Sequence, residues 1–178
     1  MSNTEFIEAV KALIGMPYEK VVCDAVIRRA LNINFKGSNW LFRSVNNSSK
    51  YRYITERHAC GDGTTPPPGA VAFKTDETKT PKGYKSGPDA YHCGVIDSDG
   101  YVIHSSPNTG VRKDMTSRWT EWDYWGLMKQ VEYGSENSPI TGEDNSSSDI
   151  IDVEFFDYCE TLTDRELLEA IYRAVVKD

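Results

Sequence analysis

The sequence has no run of 18 apolar residues, so we expect no membrane-spanning helix. Its first residues lack a positively charged region followed by an apolar stretch, so we expect no signal peptide and synthesis in the cytoplasm. Basic residues are not concentrated in any one stretch, which argues against a nucleic-acid-binding protein. The four cysteines, at positions 23, 60, 93 and 159, are too scattered for a disulfide framework, and we expect free thiols.

The composition is that of a globular protein with an uneven charge distribution. The chain has 178 residues, of which 39% are hydrophobic, and it includes ten tyrosines and four tryptophans. Its net charge is −7, and residues 133–178 alone carry 12 acidic and 3 basic side chains. We therefore divide the chain into a domain over residues 1–133, a Ser-, Asn- and acid-rich linker over 134–149 and an acidic helical tail over 150–178.

An amphipathic helix is predicted in the tail. Thr163 and Glu166 form a capping-box signature, and the residues that follow place apolar side chains on one face. That face needs cover from the main domain, from a second copy of the chain or from a protein partner. We interpret the acidic tail as a protein-contact element.

Two helices are predicted near the N-terminus. Residues 5–14 have an apolar stripe with Thr4 or Asn3 as the cap, and residues 23–31 form the second helix. Cys23 then lies at a helix N-terminus, where unpaired backbone N–H groups and the helix dipole favour the thiolate. The alternative is that Cys23 is simply a small buried hydrophobic residue.

Later segments predict strands. Residues 70–74 follow a rigid Pro-Gly turn and indicate a short buried strand, and residues 127–133 indicate a closing strand. Residues 51–59 are compatible with strand or helix. Three tryptophans within residues 118–126 are either a stacking surface for a sugar or peptide or part of the core, and core packing is favoured.

A hairpin is predicted around Ser98, Asp99 and Gly100, which separate two runs rich in apolar and β-branched residues. A three-residue loop with Gly100 in the left-handed conformation places His92 and His104 on one face of the sheet, with Gly94 between them. A two-residue loop would place the histidines on opposite faces. The pairs expected for the longer loop are Asp97 with Tyr101, Gly94 with His104, and His92 with Ser106.

His58 and Cys60, together with His92 and Cys93, raise the question of a zinc site. Their His-x-Cys and His-Cys spacings match no common zinc template. We therefore predict no metal and no cofactor, and we expect His58 to be an ordinary surface or groove residue.

A cysteine at a helix start, a strand after a Pro-Gly turn and a hairpin with two histidines occur here in a specific order. In that order and spacing, residues 5–131 resemble the NlpC-type cell-wall cysteine peptidases, a papain-like superfamily whose hairpin also separates two polar residues by twelve positions. The resemblance implies an α+β fold with N-terminal helices packed on a central antiparallel sheet. The matching stretches are residues 15–18 (Gly-Met-Pro-Tyr), 68–73 (Pro-Gly-Ala-Val-Ala-Phe), 92–96 (His-Cys-Gly-Val-Ile), 100–106 (Gly-Tyr-Val-Ile-His-Ser-Ser) and 110–111 (Gly-Val).

The resemblance also implies roles for four residues. Cys23 would be the nucleophile, His92 the base that also protonates the leaving amine, and His104 the residue that orients His92. Tyr18 would help to stabilise the oxyanion together with the backbone N–H of Cys23. Three features depart from the family pattern: the usual Asp-Cys-Ser-Gly is here Val-Cys-Asp-Ala at residues 22–25, only four residues separate Tyr18 from Cys23, and the loops 32–65 and 75–90 have no counterpart. Asp24 also opposes ionisation of the neighbouring thiol unless its side chain points away.

The function implied is hydrolysis of an amide bond in peptidoglycan stem peptides, in that family a D-glutamyl–diamino acid bond, through an acyl-enzyme. Without a signal peptide, such an enzyme would reach the wall by phage- or effector-type release, or would recycle wall fragments in the cytoplasm. Two alternatives stay open. One is a related amide hydrolase, deamidase or acyltransferase, and the other is a non-catalytic virion or interaction protein.

Overall fold

The computed structural model describes residues 1–48 and 50–134. Residues 1–81 and those from 86 to 134 belong to one compact unit, and residues 82–85 form a turn that belongs to a second unit. The predicted linker and acidic tail lie outside the described residues. None of the helices in the described part of the chain is long and apolar enough to cross a membrane.

Three short helices precede the strands. α1 (Asn3–Lys11) and α2 (Cys23–Leu31) have nine residues each, and α3 (Gly37–Arg43) has seven and continues into a 3₁₀ turn. The predicted bounds of α2 are confirmed. Asn32 ends this helix in the left-handed conformation, with φ 51° and ψ 46°.

α1 differs from its prediction at both ends. Its cap is Ser2 rather than Thr4 or Asn3, because the Ser2 hydroxyl accepts from the backbone N–H of Glu5 while the Glu5 carboxylate accepts from the Ser2 backbone. It stops short of the predicted residue 14. The Gly15 N–H donates to the carbonyl of Val111 at 2.9 Å, so this part of the chain is tied to a neighbouring strand.

Six strands form one sheet in which every neighbouring pair is antiparallel, in the order β1-β6-β2-β3-β4-β5. Residues 51–59, left open between strand and helix, supply β1, and the closing strand starts earlier than predicted. The strands are β1 (Ile54–Ala59), β2 (Val71–Asp76), β3 (Asp89–Ile96), β4 (Tyr101–Ser106), β5 (Gly110–Arg118) and β6 (Tyr124–Met128).

Alternation along the strands produces two apolar layers. One sheet face packs with the helices, as in the contacts among Phe6, Ile27 and Val95 within the larger core cluster. The opposite face carries a smaller cluster that includes Trp122 and Trp125. Residues next to each other on β3 therefore point into different layers, which decides what surrounds each of them.

The predicted α+β, papain-like fold is wrong. The described residues form a sheet-dominated structure of six antiparallel strands, and its three helices are too short to make an equal layer. Helix-breaking residues cause this difference, since Gly15 and Pro17 follow α1 and the left-handed Asn32 ends α2. Gly37 then begins α3 with φ +77°, which further limits helix length.

Candidate active site

Cys23 is the first residue of α2, and no side chain caps this helix end. The thiol is therefore close to the unpaired N–H groups and the positive end of the helix dipole. The segment that leads into α2 is bound to strand β4, because the Ser105 hydroxyl donates a hydrogen bond to the carbonyl of Val21 at 2.5 Å. The predicted placement of the cysteine at a helix N-terminus is thus confirmed.

The surroundings of Cys23 favour its thiolate. A hydrogen bond from the Cys93 thiol is the main cause that lowers the pKa of Cys23 to about 5, and burial opposes this effect. A hydrogen bond with His92 and the charge of its ring lower this pKa further, while the charge of Asp24 raises it. At neutral pH the sulfur is consequently ionised and nucleophilic.

Cys93 is the second thiol of the site, and the sequence analysis did not assign it a role. It is fully buried on the helix-facing side of β3, and its pKa is raised well above the ordinary value by the hydrogen bond with Cys23 and by burial. A protonated thiol can donate to the Cys23 sulfur. Strand alternation gave the one available signal, since it predicts that Cys93 and the preceding His92 point to opposite faces.

The predicted hairpin turn is confirmed. Gly100 has φ +83°, its N–H donates to the carbonyl of Asp97, and the Asp97 N–H donates to the carbonyl of Tyr101. The loop therefore has three residues, and the two histidines share one face. His92 Nε2 lies 2.9 Å from His104 Nδ1, with the two rings nearly perpendicular at 87°.

The ladder between β3 and β4 contains the predicted pair Gly94–His104 and ends there, so the expected pair of His92 with Ser106 is not among the pairs of the described ladder. The space beside Gly94 is filled by neighbouring residues of β4. A Cβ at this position would lie 2.6 Å from Val102 Cγ1 and 2.9 Å from His104 Cβ. The glycine instead lets the second histidine pack closely against β3.

Asp114 extends the histidine pair and was missed in the sequence. Its Oδ2 lies 3.4 Å from His104 Nε2 and 3.3 Å from a guanidinium nitrogen of Arg112. Asp114 pairs with Val102, diagonal to the histidine, in the regular part of the β4–β5 ladder that runs from the pair Ser106–Gly110. This pairing follows from the short turn at residues 107–109, and that turn is the sequence signal that could have predicted the contact.

The site now has a linear order, in which Cys23, His92, His104 and Asp114 each contact the next. Burial is the main cause that lowers the pKa of His104, followed by the charge of His92, while Asp114 opposes both. Hydrogen bonds from Thr116 are the main cause that lowers the pKa of Asp114 to about 2. This row of contacting side chains thus ends at Asp114, a carboxylate that is ionised at neutral pH.

Trp122 lies against the rings of both His92 and His104. Its indole stacks on His92 with ring centroids 5.5 Å apart and meets His104 edge-on at 5.8 Å. Of the three clustered tryptophans, Trp122 and Trp125 are buried and Trp119 packs against the same cluster. The favoured prediction of core packing is therefore confirmed, and Trp122 also restricts the motion of the two rings.

Tyr18 and Asp24 both lie in the electrostatic surroundings of Cys23. Burial is the main cause that raises the pKa of Tyr18, and the neighbouring charges of Cys23 and Asp24 add to it. The Asp24 carboxylate accepts from Arg28 Nε at 2.8 Å and from the backbone N–H of Gly37 at 3.3 Å. Arg28 therefore offsets much of the negative charge beside the thiol.

His58 and Cys60 do not join the site. His58 is on β1, which is separated from β3 by two strands, and its ring stacks on Trp125 at 4.3 Å. Burial raises the pKa of Cys60 to about 11, so this thiol is a poor nucleophile. Among the described residues, no group of three or more histidine, cysteine or acidic side chains is arranged to hold a metal ion.

No protein-family model matches this chain, and no curated protein matches it. The resemblance to NlpC-type peptidases thus stays a prediction based on short motifs. What the arrangement can do chemically follows from its own geometry: an ionised thiol, a base in contact with it and a buried orienting chain are the parts of a nucleophilic acyl-transfer site.

Proposed function

We propose that this chain is a cysteine-type amide hydrolase that acts on peptidoglycan stem peptides through an acyl-enzyme on Cys23. The observation that carries the proposal is the continuous contact from the thiol through two histidines to Asp114. A cysteine that serves only as a core residue needs no ionised form, whereas this one has a pKa of about 5. The arrangement thus favours catalysis over a purely structural or interaction role.

In the first half of the reaction, the Cys23 thiolate attacks the carbonyl carbon and a C–S bond forms. The negative charge moves to the carbonyl oxygen, close to the N–H groups at the start of α2. Tyr18 is the nearby phenol that we propose as a second donor. His92 then gives its proton to the leaving nitrogen, the C–N bond breaks and an amine departs.

In the second half, water replaces the amine. The neutral His92 ring takes a proton from this water, whose oxygen attacks the thioester carbonyl. The C–S bond breaks, the acid product leaves, and the Cys23 thiolate is restored with the proton on His92. Each turnover adds one water across one amide bond, so the reaction needs no oxidant, reductant or metal.

The substrate class rests on the sequence resemblance. The stretch before Cys23, the Pro-Gly strand and the histidine hairpin resemble those of enzymes that cleave peptidoglycan peptides, in that family at a D-glutamyl–diamino acid bond. The same chemistry could transfer the acyl group to an amine instead of water. The substrate test below therefore includes an added amine, which would appear in the product if the protein were an acyltransferase.

The test is digestion of purified peptidoglycan by the wild-type protein and by Cys23→Ala, with mass spectrometry of the released fragments. The matched control is Cys60→Ala, which removes a half-buried thiol outside the site. We expect new amino and carboxyl termini from the wild type and the control, and none from Cys23→Ala. Equal release by Cys23→Ala, or cleavage of glycan strands alone, would overturn the proposal.

A further inference from the structure

We infer that Asp114 is a positioning residue that fixes on which nitrogen each of the two histidines carries its proton. The contact order is Asp114 to His104, then His104 to His92 and finally His92 to Cys23. The inference about proton positions depends on geometry alone, and its consequence for turnover rests on the proposed function.

The Asp114 carboxylate is held in one orientation. Its Oδ1 accepts from the backbone N–H of Thr116 at 3.0 Å and from the Thr116 hydroxyl at 2.7 Å. This leaves Oδ2 to face His104 Nε2 and the guanidinium of Arg112. Because the carboxylate is ionised, it can only accept, so the nitrogen that faces it must carry hydrogen.

The proton positions on the ring nitrogens of His104 and His92 then follow in turn. A neutral His104 with hydrogen on Nε2 has a bare Nδ1, and this atom lies 2.9 Å from His92 Nε2. His92 must therefore donate from Nε2, which in its neutral form leaves Nδ1 bare. Since Nε2 is engaged with His104, Nδ1 is the ring nitrogen available to Cys23.

This arrangement fits both halves of the proposed reaction. When His92 is protonated on both nitrogens, His104 Nδ1 accepts from it and stabilises the cation. When the proton has gone to the leaving amine, the bare Nδ1 of His92 is ready to accept a proton from water. The opposite assignment would direct an N–H group at the thiol and leave no base there.

Replacing Asp114 by asparagine should reverse the assignment. The amide oxygen is expected at the Oδ1 position because the backbone N–H of Thr116 is a fixed donor, whereas the half-exposed Arg112 side chain can turn away. The amide NH₂ then faces His104 Nε2 and donates to it. His104 is forced to carry hydrogen on Nδ1, and His92 in turn on Nδ1.

The direct test is NMR of protein labelled with ¹⁵N-histidine, using long-range proton–nitrogen correlations that distinguish bare from protonated ring nitrogens. A Cys23→Ser background removes the thiolate, so that both rings are compared without a charged sulfur beside them. We expect hydrogen on Nε2 of both rings with Asp114, and on Nδ1 of both rings with Asp114→Asn. The matched control is Asp99→Asn, at a hairpin carboxylate that contacts Lys113 instead of a histidine.

A second readout is the turnover of peptidoglycan peptides by variants with Cys23 intact. We expect Asp114→Asn to lose on the order of 10²-fold, the lower end of what general acid–base catalysis contributes. Asp114→Ala should lose less turnover, because without a side chain facing His104 Nε2 each histidine can still carry its proton on either ring nitrogen. A purely structural role predicts the reverse order, since asparagine is the closer match in shape.

The inference is overturned if His104 carries hydrogen on Nδ1 in the presence of Asp114, or if Asp114→Asn leaves both rings unchanged. The spectrum with Asp114 intact needs no substitution at that site, so failure of a variant to fold does not decide the question. If the NMR spectra are as expected but the wild-type protein cleaves no amide bond, only the proposed function is overturned. Cleavage by the wild type with unchanged spectra would overturn this inference only.

Discussion

At the scale of single residues, Cys23 has two neighbours that act on its sulfur in different ways. Cys93 contributes a hydrogen bond from a buried thiol, whereas His92 contributes both a hydrogen bond and a charge. The two side chains come from consecutive positions of one strand and therefore approach from different faces of the sheet. A substitution of Cys93 can thus change the ionisation of Cys23 without removing the base.

We predict that Cys93→Ala raises the pKa of Cys23, because the largest favourable contribution to its thiolate is lost. A hydrogen bond to a charged group contributes about 1.5–3 kcal/mol, so alkylation by iodoacetamide at pH 6 should slow by roughly two- to fifteenfold. The measurement is the alkylation rate of Cys23 between pH 4 and 9, with Cys60→Ala as control. An unchanged midpoint would contradict the assignment of Cys93 as a donor.

We also predict a pH-dependent contribution of His104 to stability. Burial lowers the pKa of this ring below its ordinary value of 6.5, so the unfolded chain binds more protons than the folded one in acid. The contribution is therefore complete above about pH 6.5 and is lost as the pH falls below it. When the pH is lowered from 7.5 to 5.5, the unfolding free energy of His104→Gln should fall by less than that of the wild type. Urea denaturation at the two pH values measures this difference.

The control for this measurement is His58→Gln, at a ring outside the catalytic chain. If the unfolding free energy of His104→Gln falls with pH as steeply as that of the wild type, His104 protonates as readily in the folded protein as in the unfolded chain, and the prediction is contradicted.

At the scale of elements, the sequence predicts those parts that depend on neighbours along the chain. The turn at Gly100 and the bounds of α2 follow from local turn and helix signals, and with them the facing positions of His92 and His104. The contact of His104 with Asp114 was missed, because it requires the pairing of β4 with β5 across the turn at residues 107–109, which was not among the predicted pairs.

The incorrect papain-like prediction has a similar cause. Short motifs specify the surroundings of Cys23 and of the histidine hairpin, but they do not specify how long each helix becomes. The breakers after α1 and α2 limit the helices, and the number of strands follows from long-range pairing that no local pattern contains.

We predict that Gly94→Ala disrupts the hairpin. The added Cβ would lie 2.6 Å from Val102 Cγ1 and 2.9 Å from the Ile103 carbonyl, so the strands must separate or the His104 ring must move. Overpacking of this kind costs about 1–3 kcal/mol, and we expect a matching loss of unfolding free energy in urea.

The control is Gly134→Ala, where no atom lies within 4 Å of the added Cβ. Slower alkylation of Cys23 should accompany the loss of stability in Gly94→Ala, because His92 and His104 shift together. A Gly94→Ala protein with full stability and reactivity would show that β3 and β4 tolerate a wider spacing.

At the scale of the whole compact unit, the N-terminus is joined to the segment after β6. Ser2 and Glu132 form an isolated parallel bridge, and the Glu132 N–H donates to the carbonyl of Met1 at 2.8 Å. Tyr133 adds a buried connection, since its hydroxyl donates to the carbonyl of Gly69 and accepts from the N–H of Met128, both at 3.1 Å. One side chain thus links the start of β2 to the end of β6.

We predict that Tyr133→Phe lowers the unfolding free energy by about 1–3 kcal/mol, because it leaves a buried donor and a buried acceptor without this partner. The reactivity of Cys23 should not change, since the site is formed by other elements. The measurement is urea denaturation together with alkylation at pH 6. The control is Tyr91→Phe at an exposed tyrosine, and equal stability of the two variants would contradict the prediction.

The separation of the nucleophile from its activating groups has a consequence for synthesis. Cys23 leaves the ribosome well before His92 and Cys93, and until β3 joins α2 its thiol has the pKa of an ordinary cysteine. The nascent chain therefore carries a thiol that is mostly protonated at pH 6, and the gain of alkylation at this pH reports that β3 has joined α2.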